Sequence, residues 1–182
     1  MAENVSRIDE RERHGRPSPA DLDAERGILG AMMLWVDART HAARTLSPED
    51  FFRPAHGHLF DAILRVHGAG GDHGQIDARS VADVLRRNGL LDMVGGSEMF
   101  IGLLADGAPP STVPRLCAVV AEMRALRTAV SVCGEVITEA YAVPSDVGDF
   151  LDRFVARART VEVPTVTAPN VMTLDDFSAA TT

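Results

Sequence analysis

The stretch VPRLCAVVAEMRALRTAVSVCGEVITEAY, Val113 to Tyr141, limits what this chain can fold into more than any other. Leu116, Val119, Val120, Met123, Val130, Cys133, Val136, Ile137 and Ala140 recur at helical spacing, which predicts a single helix of roughly 40 Å with one apolar stripe. Pro144 ends it. Ser145 then starts a partner helix carrying Phe150, Leu151, Phe154 and Val155, so the two are expected to fold back on each other as a hairpin. One antiparallel partner covers only part of each helix, and an uncovered apolar face of that extent marks an interface. The expectation is self-association through the hairpin, with a symmetric dimer as the product and Val119, Met123, Arg127, Val130, Phe150, Phe154 and Arg157 as candidate interface residues. The arginines there fit equally as solvated faces or as the polar rim of a contact.

Shorter helical segments precede the hairpin. Leu22, Ile28, Leu29, Met32, Met33 and Trp35 form an apolar stripe with Asp21 as its cap, and Gly27, Gly30 and Ala31 allow a neighbour to approach closely. Met32, Met33 and Trp35 are read as core, with an interface as the second option. A second helix runs from about Asp37 to Thr45. In LSPEDFF, Ser47 caps, Pro48 fits the first helical position and Asp50 falls three residues after the cap. A third helix covers about Pro54 to His67 and closes on glycines. Asp77 opens ARSVADVLRRNG, LLDMVGG makes a turn, and Ser97 caps EMFIGLLA. No useful strand alternation occurs, so the fold class is all-α: a small multi-helix globule with a long C-terminal helical hairpin. Residues 1–18 are expected to be a disordered lead-in, 19–159 the domain, and 160–182 a linker or tail.

Composition removes several chemistries. All 18 basic residues are arginines, because the chain of 182 residues has no lysine. Without lysine there is no P-loop and no lysine Schiff base. The net charge of −8 opposes direct binding to nucleic acid, since phosphate contacts want a basic surface. Cys117 and Cys133 would lie about 24 Å apart on one helix and cannot bridge. No run is apolar enough to span a membrane and the start lacks a signal-peptide centre, so a reducing, cytoplasmic setting is expected.

The histidines raise the question of an enzyme. His56 and His58 differ by about 200° around a helix and cannot share a metal. His56 falls on the apolar stripe with Phe60, Ile63 and His67, where a hydrogen-bonded core histidine is the usual occupant. His58 faces outward with Asp61 and Arg65, four apart and able to pair. The alternative to an interaction domain is a small all-α acid/base or metal enzyme around His56, Asp50 and His67. It lacks an accompanying nucleophile or phosphate loop, and Asp50 already has a local capping task. No catalytic, cofactor-binding or metal residue is assigned.

In order along the chain, PSPADLDAERGILGAMML, EDFFRPAHGHLFDAI, IDARSVADVLRRNGLLDMVGG and APPSTVPRLCAVVAEMRALR together resemble the N-terminal domain of DnaB-type replicative DNA helicases. The similarity spans about Pro17 to Arg159. It departs from the family pattern at Leu116-Cys117, usually tyrosine-alanine, at Thr112, near which an asparagine is usual, and at Phe52, often tyrosine. The resemblance implies a helical collar domain that pairs through its hairpin and assembles as a trimer of dimers. It also implies contact with primase or a helicase loader. ATP and magnesium would belong to a motor domain that this chain does not carry, so the chain is not expected to be an enzyme alone.

Overall fold

The computed structural model describes residues 17–70 and 76–161. Most of the lead-in and tail expectations therefore lie outside the described residues. Those residues form helices joined by turns, without a strand. The elements are α1 (Leu22–Leu34), α2 (Val36–Thr45), α3 (Pro54–Gly70), α4 (Ala78–Arg87), α5 (Met99–Ala105), α6 (Val113–Tyr141) and α7 (Val147–Ala158), with 3-10 turns at Pro48–Asp50 and Pro110–Thr112.

α1 is the central helix and packs against α2, α3, α5 and α6. Ile28, Leu29, Met32 and Met33 are completely buried, so the two methionines are core residues, and Trp35 packs half-buried against them. Asp21 caps the helix by accepting from the Ala24 amide at 2.9 Å. Trp35 interrupts the helical path with one extended residue between α1 and α2. Gly30 is required where α1 crosses the segment after α5, because a Cβ there would sit 2.6 Å from Gly107 Cα. The neighbouring Gly27 carbonyl accepts from the Ala108 amide at 3.0 Å across the same crossing.

At Ser47-Pro48-Glu49-Asp50 the expected capping box forms, and the Asp50 carboxylate accepts from the Ser47 amide at 2.6 Å. Three boundaries differ from the sequence reading. α3 runs past His67 to Gly70, since nothing crowds Gly68 and the ladder continues. Ser97 does not cap α5. Glu98 is already in the right-handed helical region, so the extended geometry of a capping residue is absent there. Asp146, not Ser145, caps α7, because its carboxylate reaches the Asp149 amide at 3.0 Å from an extended backbone.

The hydrophobic core takes in only the first part of α6, through Val113, Cys117 and Val120. Beyond Val120 α6 has no further residue in the buried core, and α7 packs back on it. Val143, in the connection between them, has φ 51°, an unfavourable conformation for a β-branched residue.

Candidate functional site

The hairpin is anchored to the globule by Arg127, with Arg124 beside it. The Arg127 guanidinium donates to the Pro19 carbonyl at 3.0 Å and to the Asp50 carbonyl at 2.5 Å, and lies over the Phe52 ring at 5.7 Å. One turn earlier, Arg124 Nε meets the Asp50 carboxylate at 3.1 Å. Asp50 thus closes the capping box with one oxygen and receives an arginine with the other. Burial pulls the Arg127 pKa below the usual arginine range; the charges of Glu25 and Asp50 oppose that shift and Arg124 adds to it.

Farther out, the seam between α6 and α7 is narrow. Phe150 is the one α7 side chain that is buried, and Arg157 holds Glu139 across the seam at 2.6 Å. Arg153 stands 3.9 Å from the same carboxylate. The rest of the apolar surface stays open: Leu126 is 49% exposed, Val130 63%, Leu151 51%, Phe154 38% and Val155 45%.

The seven residues singled out by sequence thus fall into different settings. Val119 packs half-buried on the core, and Met123 is half-buried on the same helix. Arg127 is the anchor, Phe150 lies in the seam, and Arg157 is tied to Glu139. Only Val130 and Phe154 present large apolar surface outward. Leu126, Leu151 and Val155 are exposed as well; the sequence reading places Leu151 and Val155 on the partner helix without naming them interface candidates, and Leu126 falls outside the narrow stripe read for α6.

The histidine question is resolved by a residue the sequence reading did not weigh for chemistry. Glu25 and His56 are both buried, and His56 Nδ1 lies 2.6 Å from Glu25 Oε2. The other Glu25 oxygen accepts from the Phe52 amide at 2.6 Å. His56 is therefore partnered with Glu25, whereas Asp50 faces Ser47 and Arg124. The pair joins α1 to the start of α3. His58 and His67 are half-buried, and Asp61 binds Arg65 at 2.7 Å as the four-residue spacing suggested. Among the described residues, no three His, Cys, Asp or Glu side chains come together as a metal site. Burial also pushes the Cys117 thiol up to about 12. No helix among the described residues is long and apolar enough to cross a membrane.

Fold and surface together define an all-α globule extended by a two-helix arm whose outer side is apolar and open. The chain belongs to the family described as the DnaB-like helicase N terminal domain, which matches residues 17–122. It is 36% identical over 141 residues to the replicative DNA helicase DnaB of Mycobacterium leprae, covering 76% of this chain and 23% of that protein. It is 31% identical over 139 residues to DnaB of Geobacillus stearothermophilus, covering 75% and 30% respectively. The chain thus spans under a third of the length of these curated relatives.

Among solved structures, the N-terminal domain of DnaB helicase from Mycobacterium tuberculosis superposes with a TM-score of 0.71 at 35% identity. That match covers 80% of this chain and all of the other. A DnaB-like replicative helicase whose structure was described together with its interactions with primase matches with a TM-score of 0.57 at 18% identity, over 89% of this chain and 35% of that one. The latter similarity supports the fold alone.

Proposed function

We propose that the chain serves DNA replication as the N-terminal collar and interaction domain of a DnaB-type replicative helicase, with the hairpin as its self-association surface. The observation that carries this reading is the open apolar face of Val130, Phe154 and their neighbours on an arm that the globule leaves uncovered. A second copy meeting the same face would bury it symmetrically and close a dimer, and a trimer of dimers would need a second, different contact between such dimers. Primase or a helicase loader is the further partner, a reading supported by the family and by the primase contact named for the DnaB-like relative. ATP hydrolysis and DNA translocation belong to a motor outside this chain, whose own arginine-only sequence offers no P-loop lysine.

The test is sedimentation over a wide concentration range with the parent, Val130→Glu and Phe154→Glu. Expected are a concentration-dependent dimer or larger assembly for the parent and a monomer for both variants, each retaining the parent's helical circular dichroism. A charge at the contact is costly when buried and harmless in water. Folded variants that sediment like the parent at every concentration would remove the hairpin from consideration.

A further inference from the structure

The open side of α6 carries a second pattern beyond its helical period. Leu126, Val130, Cys133, Gly134, Ile137 and Tyr141 follow one another at spacings of 4, 3, 1, 3 and 4 residues, so the gaps read the same in both directions. At about 100° per residue these positions fall within roughly 120° of one face. Glu139, which holds Arg157 across the hairpin, lies about 200° round the helix from Ile137, so the stripe is on the side turned away from α7. Leu126 is 49% exposed, Val130 63% and Tyr141 63%, Cys133 is exposed and Ile137 is half-buried.

Gly134 is an independent observation. A Cβ there would meet nothing within 4 Å, so no packing inside the chain asks for a glycine. Glycine within a helix is unfavourable relative to alanine, and its use here is explained by a backbone that approaches from outside.

We propose that two copies pair antiparallel through α6, with the two-fold axis passing between Cys133 and Gly134 and with Phe154 of α7 at the flank of the seam. The proposal rests on the self-association reading above and adds the helix, its direction and its register. Leu126 then meets the partner's Tyr141, Val130 the partner's Ile137, and Cys133 the partner's Gly134. The larger side chains face one another toward the ends, and the smallest lie at the crossing, where the backbones come closest. Only an antiparallel pair requires a stripe that reads alike in both directions; a parallel pair sets every residue against itself and is satisfied by any spacing. That symmetry selects a second copy over an unrelated helix.

The test is thiol cross-linking in the full chain with diamide, an azo oxidant that takes two electrons and two protons from a pair of thiols as their S–S bond forms. Cys117 is buried, and Cys133 and its symmetry mate are offset by about 1.5 Å along the seam. The parent should therefore link as a dimer and Cys133→Ser should not. In the Cys133→Ser background, Val130→Cys and Ile137→Cys should each fail to link to their own copies, since about 10 Å along the axis separates each from its mate. A mixture of the two should link. Gly134→Leu should keep the helical circular dichroism and weaken association at least about tenfold, because the crossing no longer closes. Self-linking of Val130→Cys and of Ile137→Cys, with none in the mixture, would overturn the antiparallel register. So would a reduced parent that sediments as a dimer yet forms no Cys133 link with diamide, an outcome that leaves self-association standing. A parent that is monomeric at every concentration would remove both.

Discussion

The two ends of α6 share one helix and one apolar rhythm but not one environment. Cys117 in the first part is buried among α1 and α2, whereas Cys133, sixteen residues on, is exposed. Helical periodicity sets which side of a helix is apolar, but what covers that side depends on how far the rest of the chain reaches. Here the globule reaches as far as Arg127, and the repeat continues beyond it. The apolar surface of the outer half therefore contributes little to the fold of the monomer and is available for association.

The largest expected effect is chemical. At pH 8 a thiol reagent should modify Cys133 roughly 1,000-fold faster than Cys117, because Cys117 reacts only when the globule opens. Its thiol, raised from 9.0 to about 12 by burial, adds a dependence of known sign. The folded state binds this proton more tightly than the unfolded state, so the contribution is present below pH 9 and is lost as pH rises toward 12. Timed mass spectrometry of the labelled protein reads the ratio. Comparable rates at the two cysteines would erase the distinction between inner and outer halves. If the hairpin pairs with a second copy, Cys133 labelling should also slow with protein concentration and Cys117 labelling should not.

Next in size is Gly30→Val. A side chain at the α1 crossing meets backbone that cannot step aside, and a loss of about 3 kcal/mol or more is expected from urea unfolding. Close behind is Glu25→Ala, which strands a buried imidazole and the Phe52 amide at a cost of about 3 kcal/mol. By contrast, Val130→Glu should change monomer stability by less than about 0.5 kcal/mol and Phe154→Glu, at a site only 38% exposed, by about 1 kcal/mol, while both abolish association. A large stability loss in either would mean that the outer half belongs to the monomer's fold after all.

Most of the fold could be read from the chain because its signals are local. Asp21, the capping box at Ser47 and Asp50, and Pro144 each act within a few residues. The Glu25–His56 pair was not legible, since its members are separated by 31 residues and only packing of α1 on α3 brings them together. A hint existed in Glu25 itself, a charge placed beside Ala24 and Ile28 on the inward side of α1. The fully buried Arg39, which donates to the Met32 carbonyl at 2.7 Å, escaped notice for the same reason. Ser97 and Ser145 misled because capping depends on backbone conformation as well as residue type.

The smallest effect belongs to the hairpin's connection. Val143→Gly removes the steric penalty of φ 51° but adds chain entropy to the unfolded state, so a gain of about 1 kcal/mol or less is expected. Because the globule dominates global unfolding, the gain should appear in hydrogen exchange near Tyr141 and Val147 before it appears in the melting midpoint. A change spread evenly over the whole chain would argue for one cooperative unit spanning both halves.

Arg127 stands midway along α6, fourteen residues from Val113 and fourteen from Tyr141. The helix thus extends about 21 Å on either side of the arginine, one arm packed in the globule and the other open. A load on the outer arm would press on the inner arm, whose Val113, Cys117 and Val120 are packed in the core beside the turn that follows α5. Whatever grips the hairpin therefore also leans on the heart of the globule.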